Sequence, residues 1–214
     1  MRPTPRQQVR RSKERARYET AAIHAVLDAG FLAHVGFSIE GQPFVIPMLY
    51  ARDGEEVLLH GSIASRLMRG LAEGIPACLS VSHVDGLVLA RSHFHHSVNY
   101  RSVVCFGTAR SVDDPAEKAA ALARFVDAIL PGRAAESRPS DRNELAATLL
   151  LRFVIEDASA KVREGGPRDD PADLGTDYWA GVVPLQTRYA AAVSADDCTL
   201  PLPPSVVRVC PEAR

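Results

Sequence analysis

The 214 residues carry 25 basic and 26 acidic side chains, a net charge of −1, and 46% apolar residues. That balance supports one globular core with terminal arms, and it supplies no bulk field to draw the chain to nucleic acid or a membrane. No apolar run approaches the ~20 residues of a membrane span, and the arginine-rich start lacks the apolar stretch of a secretory signal.

Along the chain, Arg2 to Arg17 holds seven basic residues and one acid. Such an arm lies on nucleic acid, in solvent as a helix face, or on a partner subunit. Tyr18 to Ala29 predicts a helix with Ile23, Val26 and Leu27 on one side, stopped by Gly30. Four strands are expected next, at Phe31–Ile39, Phe44–Ala51, Glu56–His60 and Ala77–Val84, with hairpin turns at Glu40-Gly41 and Asp53-Gly54.

Between the third and fourth strands lies His60-Gly61-Ser62-Ile63-Ala64-Ser65-Arg66-Leu67-Met68-Arg69. It reads as a strand end, a tight turn and a helix start. Ser62 is the expected N-cap, Ile63, Leu67 and Leu71 recur along one helix face, and Gly74 ends the helix. Ser62, Ser65, Arg66 and Arg69 share another side. Free N–H groups, hydroxyls and guanidiniums together suit a phosphate. The competing reading is an ordinary capped surface helix.

Asp85-Gly86 is a further turn signal, and Leu87–Ala90 and Tyr100–Ala109 are strand-like. Asp114-Pro115 opens an amphipathic helix that Pro131-Gly132 stops, and Asp141 and Glu144 are spaced as a capping box. Leu149–Ile155 alternates as a last long strand. Residues beyond Gly165 form an extended tail with Tyr178-Trp179 as its aromatic anchor. The expected division is a basic arm over 1–17, a barrel over 18–165 and a tail over 166–214. Six or seven strands in hairpin order predict an antiparallel barrel, mainly β in an α+β class.

Other chemistry-bearing groups are few. Two prolines in Gln42–Met48 make that strand an edge or a bulge. An apolar edge with free backbone groups suits a flat aromatic ring, although barrel closure alone would also bend it. His93, His95 and His96 suggest a metal, but no cysteine is near and adjacent histidines face opposite ways in a strand; only His83 or Asp85 would complete a set. A polar or solvated loop is the alternative. Cys78 and Cys105 read as buried thiols, while Cys198 and Cys210 would stay reduced in the cytoplasmic location expected here. No nucleophile elbow, Walker A or dinucleotide fingerprint occurs.

From about Arg15 to Pro184 the chain resembles the pyridoxamine 5′-phosphate oxidase-like FMN-binding split barrels, closest to the flavin-nucleotide-binding branch that includes nitroimidazole-resistance proteins. Four segments carry the resemblance: Pro43–Pro47; Leu59–Ser62 with Ser65-Arg66; Asn99–Val104 leading to Gly107; and Trp179–Pro184. It implies a Greek-key split barrel with flanking helices, a homodimer and FMN at the subunit interface. Val45, Ile46, Pro47 and Met48 would line the flavin ring. His60, Gly61, Ser62, Ser65, Arg66 and Leu67 would hold the ribityl phosphate. Ser102 would touch the ring, and Trp179 would approach it from the partner subunit.

The departures exclude vitamin B6 chemistry from the expectation. The basic residues that flank the matching strand in those oxidases are absent, Leu67 replaces a lysine, and Pro184–Arg188 lacks the histidine that grips the substrate phosphate. The leading expectation is therefore an FMN-dependent oxidoreductase of a small molecule. It needs no metal, nucleic acid or membrane. His60 and Arg101 are the candidate catalytic residues. The alternatives are a non-turning flavin or haem sensor, which the histidine cluster would favour, and a nucleic-acid accessory acting through the basic arm.

Overall fold

The protein is described by a computed structural model covering residues 4–210. The arm does not lie free. Arg6 pairs with Glu156 and Asp157 and stacks on Phe106, and β1 (Ala16–Arg17) adds to the end of a long later strand. Its described part is thus tied to its own barrel at Arg6 and at β1, with most of its side chains exposed. Met1 to Pro3 fall outside the described residues. α1 (Thr20–Asp28) buries Ile23, Val26 and Leu27 as its spacing requires.

β2 (Leu32–Ile39) and β3 (Gln42–Asp53) pair along eight residues through a turn in which Glu40 and Gly41 both have positive φ. That conformation matches the twist of a two-residue hairpin. β4 (Glu56–Ser62) pairs with β3 over only four residues, Tyr50 to Asp53, and then leaves it. α2 (Arg66–Ala72) follows β4 and packs Leu67, Met68 and Leu71 into the core.

β5 (Ala77–Leu89) runs straight through Asp85-Gly86, where a turn was expected. The site is a bulge between Val84 and Gly86 against β6 (Ser97–Ser111), and the true hairpin tip is the His93–His96 segment. Continuous pairing on both sides of the bulge outweighs the local turn preference. α3 (Pro115–Ile129) starts at the Asp114 cap, and α4 (Arg142–Ala147) carries the predicted capping box.

β7 (Thr148–Arg163) is far longer than Leu149–Ile155. It pairs with β4 over Thr148–Val154 and with β6 over Leu151–Arg163, so it closes a barrel in the order β7-β4-β3-β2-β5-β6. In the tail, β8 (Gly181–Pro184) pairs with β5 beyond the bulge, and α5 (Pro204–Val209) seats the buried Ser205 on Glu136.

The strand alternation sorts the side chains. Ala33, Val35, Leu59, Leu79, Val103, Cys105 and Phe153 point into the barrel with Tyr50, and α1 and α2 complete this core. Burial pushes the Cys105 thiol up to about 12. Tyr50 donates its hydroxyl to the Leu27 carbonyl, tying α1 to the barrel. A second, outer cluster joins Ala51, Leu58 and Leu150 to Ala121 and Phe125 of α3. Each fully buried large apolar side chain contributes roughly 1.5–3 kcal/mol.

A Cβ at Gly107 would stand 1.9 Å from the Val154 carbonyl oxygen, at the bulge where β6 and β7 change register. Backbone cannot yield there. Gly107→Ala is expected to lower stability by at least about 1–3 kcal/mol, the range for overpacking, measured as the shift in a urea unfolding midpoint. An unchanged midpoint would contradict this packing.

Candidate functional site

The early separation of β3 from β4 leaves Gln42 to Leu49 as an open edge. Tyr50 N–H donates to Phe31 O, so even-numbered residues of β3 turn their peptide groups to β2 and odd-numbered ones turn theirs to the open side. Pro43 and Pro47 therefore stand where an N–H would face outward. The edge strand read from its prolines is thus confirmed, and its remaining outward donors are at Val45 and Leu49. The same pleat divides the predicted ring-lining residues. Met48 packs toward the barrel core and Ile46 shares its parity, while Val45 (65% exposed) and Pro47 face out.

Arg66, at the start of α2, lies over the Phe44 ring at 4.4 Å and so borders this edge. Arg66 and Arg69 make no ion pair among the described residues. The cap is Ser65, not Ser62: its hydroxyl accepts from Met68 N–H at 3.4 Å. Ser62 is still strand, paired with Thr148, and its hydroxyl accepts from Ala64 N–H at 3.1 Å. Ile63 precedes the helix and is half exposed, so it is no part of the buried face. Both serines keep their own O–H for an outside acceptor. Leu67 is 7% exposed and packs in the core, which leaves only its backbone for a ligand. Gly61 sits against Met68, where a Cβ would come within 2.9 Å of Cγ.

His60 points to the outer side of β4. Its ring meets Phe125 edge-on at 4.4 Å, and its buried Nδ1 has no partner. Burial holds its pKa below the usual 6.5. Ser102 lies on the outer face of β6 between Ser82 and Lys161. Trp179 is 66% exposed and folds over Gly181 at the start of β8, so the described chain does not bury it as an anchor.

Arg101 lies elsewhere, in a cleft of about 900 Å³ beside β2 and β5. It grips the Asp85 carboxylate with Nε (2.9 Å) and Nη2 (2.8 Å), which holds that carboxyl below its usual range. Phe31, Leu32, His34, His83, Val84 and Leu185 also line this cleft. Sequence reasoning missed His34. Its only signal is its place between Ala33 and Val35, which turns it outward on a strand. The hairpin-tip histidines are tied up locally: His96 Nδ1 accepts from Ala90 N–H, and His95 lies 3.2 Å from Asp170.

A family model described as pyridoxamine 5′-phosphate oxidase matches residues 19–162. The chain belongs to that family. Among solved structures, the flavocytochrome Anf3 from Azotobacter vinelandii is 39% identical, with 97% of each chain covered and a TM-score of 0.90. An FAD- and haem-binding protein from Mycobacterium smegmatis is 41% identical, covering 91% of this chain and 97% of that one, with a TM-score of 0.87. A protein from Bacteroides thetaiotaomicron assigned to 5-nitroimidazole antibiotic resistance shares the fold at 19% identity, covering 69% and 86% of the two chains, with a TM-score of 0.59. No curated protein shows significant similarity.

His60 also sets a pH dependence. Its folded pKa lies below its unfolded one, so the unfolded chain takes up the proton first. The stability it protects is complete above about pH 6.5 and is lost as pH falls through the folded value. His60→Leu is expected to flatten the unfolding midpoint between neutral and mildly acidic pH. Parallel wild-type and variant profiles would contradict the buried neutral imidazole.

Proposed function

We propose that this family member binds a flavin nucleotide along the open β3 edge and acts as a redox protein on a small molecule. The observation that carries the reading is the pair of arginines, Arg66 and Arg69, left without carboxylates beside two hydroxyls and an unpaired apolar strand edge. An unsatisfied guanidinium next to a flat apolar edge suits a ligand with a phosphate at one end and an aromatic ring at the other. α2 has only seven residues, so the grip rests on Arg66, Ser62 and Ser65 and not on a helix dipole.

A bound flavin supplies two-electron chemistry at its ring. The chain's own part is to hold and shield it. Val45 N–H and the Val45 and Pro47 carbonyls offer hydrogen bonds to a ring edge, and Phe44 and Met48 back the strand from inside. FMN is the group implied by the sequence resemblance. The similarity to the FAD- and haem-binding protein favours FAD, and that protein and the flavocytochrome Anf3 add haem as a second group. The cleft lined by His34, with Phe31, Leu32, Val84 and Leu185 as its apolar side, supports that addition.

The working unit in this reading is a homodimer. Trp179, two-thirds exposed, and the uncovered Leu32, Val45 and Leu49 supply the surface that a second copy would cover. Arg101 and His60 remain the candidates for substrate or proton handling, Arg101 from the cleft and His60 only through its Nε2. A cytoplasmic location is part of the same proposal; no helix among the described residues is long and apolar enough to cross a membrane.

Purified protein is expected to show flavin absorption, with the flavin released on denaturation and identified by mass. Arg66→Ala is expected to weaken flavin binding by roughly 1.5–3 kcal/mol, the scale of a charge-assisted hydrogen bond, in a fluorescence titration. Equal affinities would sink the phosphate assignment. Light scattering should give twice the 23.1 kDa chain mass; a monomer would remove the shared-site arrangement.

A further inference from the structure

We infer that His34 is the axial ligand through which this chain holds a haem iron. The inference rests on the haem part of the proposed function and assigns it a residue. It follows from asking what each imidazole is free to do. An iron ligand needs a ring nitrogen with an unshared lone pair, an outward path and an apolar surround for the macrocycle.

Only His96 loses its lone pair to its own contacts; four more are excluded by where their rings are held. His96 Nδ1 accepts the Ala90 N–H at 2.8 Å, so its proton is on Nε2 and no lone pair remains there. His83 lines the same cleft and keeps a lone pair on Nδ1, but its Nε2–H donates to the Val26 carbonyl at 3.0 Å and its ring lies so close on Gly30 that a Cβ there would meet Cε1 at 2.6 Å, so it is packed at the end of α1 and does not project outward. His95, beside Asp170 at the hairpin tip, and His24, beside Glu55 on α1, do not line the cleft. His60 is turned to Phe125 beneath α3. His93 is unengaged, but it stands on the hairpin tip beside the 89% exposed Phe94, with His96 as its ring neighbour.

His34 meets all three conditions. It is exposed, and neither ring nitrogen has a hydrogen-bond partner among the described residues. It projects from the outer face of β2, with Pro47 and Ser80 as its cross-strand partners. Gly36 and Ser80 beside it are small, so a planar group can approach the sheet. Phe31, Leu32, Val84 and Leu185 supply an apolar rim in the same cleft. A volume near 900 Å³ accommodates a large cofactor. Arg101 stands in the cleft with its Nη1 uncommitted by the Asp85 pair, a donor for a propionate. Pro47 belongs to the strand proposed to line the flavin, so the two groups would be neighbours.

The test uses full-length protein loaded with haemin and with flavin. Haem stoichiometry, the Soret band and electron paramagnetic resonance are compared for wild type, His34→Ala and His93→Ala. His34→Ala is expected to lose at least tenfold in haem affinity and to shift the Soret band. Flavin content should be retained, which shows that the barrel has folded, and added imidazole should restore the wild-type spectrum. His93→Ala should match wild type. Should wild type take up no haem, the haem reading itself fails and the inference falls with it. If wild type binds haem and His34→Ala is spectrally identical to it, or if His93→Ala alone loses the band, only the His34 assignment is overturned.

Discussion

The β3–β4 ladder stops after four residue pairs, and the rest of the molecule is arranged around that stop. β3 keeps eight pairs with β2, and β4 keeps seven with β7, so both strands are held firmly on their other sides. The barrel still closes, because β7 is long enough to pair with β4 at one end and β6 along the rest. The result is a closed barrel with one incomplete seam. α2 buries Leu67, Met68 and Leu71 in the barrel core, and its first residue, Arg66, lies over Phe44 of the open strand. Core packing and ligand-binding geometry thus have the same cause.

The seam also explains the two prolines. An open edge with regular N–H donors would recruit another strand. Pro43 and Pro47 remove donors at alternate outward positions and leave carbonyls and the Val45 N–H for a ligand. Outside the barrel, Arg152 fastens the other end of the same region. It reaches Asp53 at 2.9 Å, Glu56 at 3.2 Å and Glu117 at 3.1 Å, linking the β3–β4 turn to α3. This network fixes the short ladder where it must not fray. α3 in turn covers Leu58 and His60, so both faces of β4 are packed: one against α3 and the other, with Val57 and Leu59, in the barrel core.

Much of the fold was legible because the barrel strands obey strict alternation and the hairpin turns use residues that tolerate positive φ. Glu40-Gly41, the Asp114 cap and the Asp141 capping box are local signals, and local physics decides them. The errors fall where tertiary pairing overrides a local preference. Asp85-Gly86 carries turn chemistry but sits in a bulge, because β6 and β8 pair with β5 on both sides. Ser62 looks like a cap but is held in the ladder by Thr148, which passes the cap to Ser65. Tyr178-Trp179 is no core anchor of its own chain, where both rings lie exposed.

The sequence by itself determined the class of fold, the family and the cluster of hydroxyl and guanidinium groups near the start of α2, because periodicity, turn residues and short motifs are local properties. Only the tertiary structure decided which way those residues face. It turned Leu67 inward and His60 under α3, and it split Val45 and Pro47 from Ile46 and Met48. It also gathered His34 from β2, His83 and Asp85 from β5 and Arg101 from β6 into one cleft. Strand register and barrel closure set those directions, and both arise from pairings between residues far apart in the chain.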